Sequence, residues 1–126
     1  GGNYFPLEPS QGFLIWDKKQ PHDFSLAMVE FAWMSFQKPA KMFVQSVLKE
    51  QDKIHPTQKP VALYKWLLHN YAKPGDKILD THGGSMSIAI ACHQMGFDLT
   101  LCELDKDYYE AGVKRFKEQT KQLALL

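Results

Sequence analysis

Two short stretches bring acidic residues and glycines into a spacing that could bind a nucleoside. The first reads Asp80-Thr-His-Gly-Gly-Ser85, and the second is an apolar run that ends in Glu103. Glycines let a backbone approach a ligand closely, and a carboxylate at the end of a strand can accept hydrogen bonds from ribose hydroxyls. Asp80 and Glu103 lie 23 positions apart, near the separation of about 20 found in nucleotide-binding units.

The residues around these stretches predict the elements that would position them. Ile78 and Leu79 form a short apolar strand that runs into Asp80. Residues 85–95 carry apolar side chains at helical spacing, and Gly96 ends that helix. Residues 98–102 predict a second strand. The sequence therefore predicts a strand–turn–helix–strand unit of a nucleotide-binding α/β sheet.

The class of ligand follows from the motifs that the sequence lacks. It contains no G-x-G-x-x-G to hold the pyrophosphate of a dinucleotide, and no G-x-x-x-x-G-K-[ST] to hold a triphosphate. The lack of G-x-G-x-x-G argues against the alternative that this chain is one half of an NAD-type oxidoreductase. A nucleoside without phosphates fits better, and S-adenosylmethionine is the common one. The alternative is a tight turn in a purely structural βαβ unit.

Length and composition indicate one globular domain, residues 1–126, with 44% hydrophobic and 13% aromatic residues. A net charge of +1 makes no case for nucleic-acid binding by itself. The sequence has no apolar run of about 18 residues and no charged-then-apolar leader, so we expect neither a membrane span nor a secretion signal. Cys92 and Cys102 lack metal-ligand spacing, and we expect both to be reduced core residues of a cytoplasmic protein.

The rest of the chain predicts further strands and helices. Residues 12–17 are apolar and predict a buried strand, 30–36 a strand antiparallel to it, and 41–47 a further short strand. Residues 49–53 are expected to be solvated. Pro60 suits the first turn of a helix that continues to residue 71. Residues 105–119 predict a last helix, whose expected inward side chains are Tyr108, Tyr109, Val113 and Phe116.

Three segments, in this order, resemble a known family: His55-Pro-Thr-Gln-Lys-Pro60, residues 80–85, and Glu103-Leu-Asp-Lys-Asp-Tyr-Tyr109. They are similar to the C-terminal motifs of DNA amino-methyltransferases of the permuted (beta) group, phage-borne members above all, which methylate the exocyclic amine of adenine or cytosine. The resemblance implies a partial Rossmann-like methyltransferase sheet, mixed parallel and antiparallel, with flanking helices and without the family's central strands. The resemblance extends over nearly the whole chain and divides it into a strand and loop part, residues 1–54, and a cofactor-binding part, residues 55–126.

The resemblance also implies which residues bind the cofactor, S-adenosylmethionine. Glu103 would bind the ribose hydroxyls, and Leu104 would lie against the adenine ring. Asp80 would shape the loop near the methionine amino group. The full set of implied binding residues is His55, Thr57, Lys59, Asp80, His82, Gly83, Gly84, Ser85, Glu103 and Leu104. The first three would lie near the methionine carboxylate, where hydroxyl, N–H and cationic donors suit an anion. The alternative for residues 55–60 is a plain helix N-terminus with Thr57 as its cap.

The glycine-bearing loop departs from the family's D-P-F-x-G-S-G-T pattern at three positions. Thr81 stands where proline is usual, His82 replaces phenylalanine, and Met86 replaces the second glycine of G-S-G. His82 could stack on the ligand as phenylalanine would, or it could be a hydrogen-bonded turn histidine. Met86 would narrow the space over the loop and weaken the cofactor site.

The family's chemistry depends on an Asp/Asn/Ser-Pro-Pro-aromatic loop, which aligns the target amine with the methyl group and stacks on the flipped base. This sequence has no two adjacent prolines, so we assign no catalytic residue. The resemblance implies the cofactor-binding portion of a DNA methyltransferase, adenine-specific and inactive alone. The alternative is a catalytically dead remnant that acts as a nucleotide-binding or structural module.

Partners follow from the same resemblance. Double-stranded DNA would be bound by the parent enzyme. The missing central strands would be replaced by an N-terminal segment or by a second copy, and a homodimer is the preferred expectation. Four lysines flank the first strands and either meet DNA phosphates or form a solvated face, namely Lys18, Lys19, Lys38 and Lys41.

Overall fold

A computed structural model describes residues 2–46 and 53–124 of the chain. They belong to two compact units, Gly1–Lys49 and Glu50–Leu126. Each unit contains its own small β-sheet, of three strands in the first and two in the second. The mixed α/β class is thereby confirmed. The expectation of one domain with parts 1–54 and 55–126 stays a prediction.

The first unit is a mixed sheet around strand β1 (Phe13–Asp17). Strand β2 (Val29–Trp33) pairs with β1 antiparallel, and β3 (Lys41–Val44) pairs with β1 in parallel on the other side. The predicted antiparallel pair is thus confirmed, although β2 ends at Trp33 rather than at residue 36. Val47, the predicted end of β3, and most of the solvated stretch 49–53 lie outside the described residues.

Strand β1 buries one face and not both. Leu14 and Trp16 are buried while their neighbours along the strand are half-buried, which is the alternation expected for a sheet with one covered face. The Trp16 Nε1–H donates to the carbonyl oxygen of Gln45 at 2.9 Å. Lys18, one of the four lysines for which a solvated face was an alternative, is paired within the sheet, because its Nζ lies 3.0 Å from the Glu30 carboxylate.

The second unit contains three helices and a parallel strand pair. Its elements are α1 (Val61–Tyr71), β4 (Lys77–Asp80), α2 (Ser87–Met95), β5 (Asp98–Leu101) and α3 (Lys106–Ala124). Strands β4 and β5 are adjacent, with Asp80 opposite Leu101. Because parallel strands point the same way, their carboxyl ends lie at one edge of the sheet. The predicted strand–turn–helix–strand unit is confirmed.

The core of this unit lies between α1, α2 and the strand pair. Leu68, Ala91 and Cys92 are its buried centre. The surrounding half-buried apolar residues are Val61, Tyr64, Ala72, Ile78, Ile88, Met95, Phe97 and Leu99. This packing fixes α2 directly behind β4 and β5, and therefore fixes the loop that joins β4 to α2.

Of the four side chains predicted to face inward from helix α3, three are half-buried (Tyr108, Val113 and Phe116), and the prediction is wrong for Tyr109 alone. Gly112 and Arg115 are buried, whereas Tyr109 is 47% exposed. Adjacent residues on a helix point about 100° apart, so Tyr108 and Tyr109 cannot share one narrow face.

Among the residues that the structure describes, no helix combines the length and the apolar character that crossing a bilayer requires.

Candidate functional site

The loop after β4 is attached to the chain that follows β5. The Cys102 N–H donates to the Asp80 carbonyl oxygen at 2.9 Å, and the Gly83 N–H donates to the Cys102 carbonyl oxygen at 2.8 Å. A Cβ at position 83 would lie 2.3 Å from the Leu101 Cδ2, so a side chain there would have to displace Leu101. Glycine at this position therefore lets the loop lie directly against β5.

Glu103 follows β5 and holds the loop from its other side. Its Oε2 accepts the Gly84 N–H at 2.6 Å, and its Oε1 accepts the Asp105 N–H at 3.0 Å. These two bonds, that of Asp105 first, lower the pKa of the Glu103 carboxyl because they stabilise its charged form. His55 contributes in the same direction. Each carboxylate oxygen has a further lone pair, so the group can still accept hydrogen bonds from a ligand.

His55 closes the opposite side of the loop. Its ring packs on Tyr108 with the ring centroids 4.2 Å apart. Its Nδ1 accepts the Thr57 N–H at 3.2 Å, and the Thr57 hydroxyl lies 3.1 Å from the same nitrogen. Because a backbone N–H can only donate, Nδ1 is the acceptor and Nε2 carries the proton of the neutral ring. Thr57 does not cap α1, since Pro60 occupies the N-cap position.

These pieces enclose a polar pocket of about 290 Å³. It brings together eight of the ten predicted binding residues from three separate parts of the sequence. Its lining residues are His55, Thr57, Gln58, Lys59, Tyr64, His82, Gly83, Gly84, Ser85 and Glu103. Gln58 was not among the predicted residues. It is buried, and its Oε1 accepts the Ile54 N–H at 3.0 Å. Only the folded chain shows that Gln58 holds the start of the His55 segment.

The other two predicted residues lie beside the pocket and do not line it. The Asp80 Oδ1 accepts the His82 N–H at 2.9 Å, so this carboxylate shapes the turn. The side chain of Leu104 is fully exposed. Two of the departures from the family pattern contact each other, since the Thr81 hydroxyl lies 2.9 Å from the His82 Nδ1. His82 is thus a hydrogen-bonded turn residue that also reaches the pocket.

The third departure has a clear backbone consequence. Met86 has φ 61° and ψ 26°, the left-handed region that glycine adopts readily and methionine does not. This conformation explains why α2 begins at Ser87 and not at the predicted Ser85. The Met86 side chain is buried, and it faces Gly112 of α3, where a Cβ would lie 2.8 Å from the Met86 Cγ. Met86 therefore packs behind the loop and is absent from the pocket lining.

Arg115 is a buried residue near the site that sequence analysis missed. Its Nη1 donates to the Ser85 carbonyl oxygen at 3.0 Å and to the Ser87 hydroxyl at 2.8 Å. The Ser85 hydroxyl lies 3.1 Å from that of Ser87, so both serines belong to one buried polar cluster. The available signal was the only arginine of the sequence, between Val113 and Phe116 on the predicted helix, and a single arginine on a helix is too common to single out.

The two cysteines differ, which corrects the prediction that both are core residues. Cys92 is buried, whereas Cys102, the residue after β5, is exposed. Burial raises the pKa of the Cys92 thiol, and the negative charge of Asp80 adds to this effect. Among the described residues, no cluster of three or more His, Cys, Asp or Glu side chains is placed to hold a metal ion.

Comparison with known proteins gives a consistent picture. A family model described as DNA methylase matches residues 13–114. The DNA adenine methyltransferase YhdJ of Escherichia coli (strain K12) is 32% identical over 68 residues, which are 54% of this chain and 23% of YhdJ. The type II methyltransferase M.HpaI of Haemophilus parainfluenzae is 31% identical over 67 residues, 53% of this chain and 21% of that protein.

One solved structure with a similar fold is that of M1.HpyAVI in complex with SAM. The M1.HpyAVI–SAM complex superposes with a TM-score of 0.60 at 27% sequence identity, and the match covers 82% of this chain and 60% of the other. The chain thus spans under a quarter of these two curated relatives and about three fifths of this structure.

Proposed function

Because the chain belongs to the DNA methylase family, we propose that it is the S-adenosylmethionine-binding portion of a DNA methyltransferase that acts on an exocyclic amine. The observation that carries the proposal is the pocket in which the His55 segment, the glycine turn and Glu103 meet. We further propose adenine as the target base, by analogy with YhdJ, whose name specifies adenine. The sequence segments that resemble the permuted beta group support an exocyclic amine, of adenine or of cytosine, as the target.

The residues present fit the cofactor. Glu103 offers carboxylate lone pairs for the ribose hydroxyls, while His55 Nε2, Thr57 and Lys59 offer donors for the methionine carboxylate. At about 290 Å³ the pocket lies at the small end of ligand sites. We therefore expect it to hold the ribose and the amino-acid end, and the adenine ring to rest on exposed Leu104. When bound, S-adenosylmethionine supplies the methyl group that is transferred to an amine nitrogen.

Each remaining group has a structural task in this proposal. Asp80 keeps the turn in place through the His82 N–H, and His82 forms one wall of the pocket. Gly83 lets the backbone lie close to β5, and Gly84 adopts a positive φ of 54° beside His55. Ser85 lines the pocket at the end of the glycine turn, two residues before α2 begins. None of these groups aligns a DNA base for reaction, so we propose that methyl transfer requires a Pro-Pro-aromatic loop that this sequence does not contain.

Calorimetric titration of the 126-residue chain with S-adenosylmethionine tests binding, and NADH is the control ligand for the disfavoured oxidoreductase alternative. Transfer of a labelled methyl group to unmethylated DNA tests catalysis. We expect S-adenosylmethionine to bind, NADH not to bind, and no label to reach DNA. Turnover by this chain alone would contradict our account of the missing loop.

A specific observation favours one second candidate, a remnant that has lost cofactor binding and acts as a structural module. Both oxygens of Glu103 already accept backbone N–H groups, and Met86 holds a strained backbone next to the loop. The absence of heat and of any stabilisation at millimolar S-adenosylmethionine would favour this candidate over cofactor binding.

We also propose that DNA is a partner of the complete enzyme and that a second copy of this chain completes its sheets. Among the described residues, β4 pairs with β5 alone, and Leu79 on β4 is 65% exposed. Unpaired strand edges are ready to pair with another chain. Sedimentation velocity at low micromolar concentration should show a dimer, and a stable folded monomer would contradict this part of the proposal.

A further inference from the structure

One face of α3 forms a continuous support behind the pocket. Tyr108, Gly112 and Arg115 are spaced i, i+4 and i+7, so they lie in one row along the helix. Tyr108 packs on the ring of His55, and Gly112 approaches Met86 and the Gly84 carbonyl oxygen. Arg115 is 5% exposed and bonds to Ser85 and Ser87. Through Gly112 and Arg115, this row of α3 contacts every loop residue from Gly84 to Ser87.

Arg115 has a particular relation to the strained residue. Its Nη1 binds the carbonyl oxygen of Ser85, immediately before Met86, and the hydroxyl of Ser87, immediately after it. One nitrogen of Arg115 therefore binds both residues that flank Met86 in the sequence. A non-glycine residue at positive φ persists only where its surroundings hold it in place. Gly112 permits this arrangement, because a Cβ at that position would lie only 2.8 Å from the Met86 Cγ.

From this geometry we propose that Arg115 is a positioning residue, which holds the left-handed turn at Met86 and so keeps the Gly84–Ser85 wall of the pocket in place. Arg115 itself is outside the pocket lining and immediately follows the residues that match the family model. Arg115 accommodates a methionine where the family pattern has glycine. Its effect on cofactor affinity rests on the proposed function, whereas its effect on the loop does not.

A double-mutant cycle tests the proposal. The variants are Arg115→Met, Met86→Gly and the double variant, with Lys117→Met on the exposed side of α3 as the matched control. Because glycine adopts positive φ without strain, Arg115 should matter less once residue 86 is glycine. We expect Arg115→Met to weaken S-adenosylmethionine binding by about tenfold in the native background and by less than about threefold in the Met86→Gly background. Equal fold-changes in the two backgrounds would overturn the proposal.

Amide hydrogen exchange gives a readout that needs no ligand. The Met86 N–H donates to the Gly83 carbonyl oxygen at 2.8 Å, and the Ala72 N–H, at the end of α1, donates to Leu68 at 3.0 Å. Arg115→Met should speed exchange at residue 86 by at least about tenfold relative to residue 72, and Lys117→Met should leave the ratio unchanged. Equal acceleration at both amides would indicate general destabilisation and would overturn the proposal, even if S-adenosylmethionine fails to bind the native chain.

The cycle remains decisive if Arg115→Met does not fold. Recovery of folding in the double variant would support the proposal, whereas an unfolded double variant next to a folded Met86→Gly variant would overturn it. Arg115→Lys is the milder substitution if both single variants unfold. The lysine side chain is one bond shorter than that of arginine, so its ammonium group does not reach both the Ser85 carbonyl oxygen and the Ser87 hydroxyl, and we expect faster exchange at Met86 relative to Ala72. An unchanged ratio in Arg115→Lys would then overturn the proposal.

Discussion

The Glu103 carboxylate accepts the Gly84 N–H at 2.6 Å, which ties the chain after β5 to the glycine turn after β4. One acidic side chain is therefore part of both the loop and the proposed ribose site. Such a short bond between a charged acceptor and a backbone donor is of the stronger kind. A change at Glu103 should consequently alter loop order and cofactor affinity together.

Replacement of Glu103 tests its proposed role in cofactor binding. Glu103→Ala removes both acceptors, and Glu103→Gln keeps one carbonyl oxygen. We expect the alanine variant to weaken S-adenosylmethionine binding by about tenfold or more and the glutamine variant by less, as measured by calorimetry. Glu118→Ala, on the exposed surface of α3, is the control and should bind as the native chain does. Unchanged affinity in Glu103→Ala would assign Glu103 to the loop alone.

The same carboxyl should make stability depend on pH. Because hydrogen bonds from Asp105 and Gly84 lower its pKa in the folded state, its contribution to the free energy of unfolding is fully present above the unfolded pKa of about 4.3. That contribution is lost as the pH falls through the lowered folded value. Urea unfolding of the native chain and Glu103→Gln between pH 7 and pH 3 should therefore show a difference that shrinks below about pH 4. A difference that stays constant with pH would contradict the bonds.

The two thiols should react at different rates. Cys102 is exposed, whereas burial of Cys92 raises its pKa and reduces the fraction of reactive thiolate. At pH 8, Ellman's reagent should label one thiol in a fast phase and the second only when the chain opens or is denatured. Cys102→Ser should remove the fast phase alone. Two equally fast phases in the native chain would contradict the burial of Cys92.

Leu104 offers a test of the adenine contact that leaves the fold intact. Its side chain is fully exposed, so Leu104→Ala removes no packing within the described chain. We expect the melting temperature to stay the same and the Kd for S-adenosylmethionine to rise by about threefold or more, through lost apolar contact with the adenine. Leu26→Ala, which truncates another exposed leucine, is the matched control. Equal affinity in Leu104→Ala and the native chain would place the adenine elsewhere.

Local sequence patterns predicted the elements of the second unit well. The apolar pair at Ile78, the helical spacing up to Met95 and the stop at Gly96 each act over a few residues, and the structure has β4, α2 and β5 there. The patterns failed where backbone geometry departs from the residue's preference. Met86, at positive φ, delays the start of α2 by two residues.

The motifs at residues 55–60, 80–85 and 103–109 were sufficient to identify the family and the candidate residues, because they can be read without knowing where they lie in space. The contacts that these motifs make became visible in the folded chain alone: His55 packs on Tyr108, Gly84 donates to Glu103, and Arg115 binds Ser85. These contacts join residues 19 to 53 positions apart. Two of them depend on how α3 packs near the loop, and the Gly84–Glu103 bond depends on the pairing of β4 with β5. Such packing is set by the burial of whole helix faces, which no short stretch of sequence specifies.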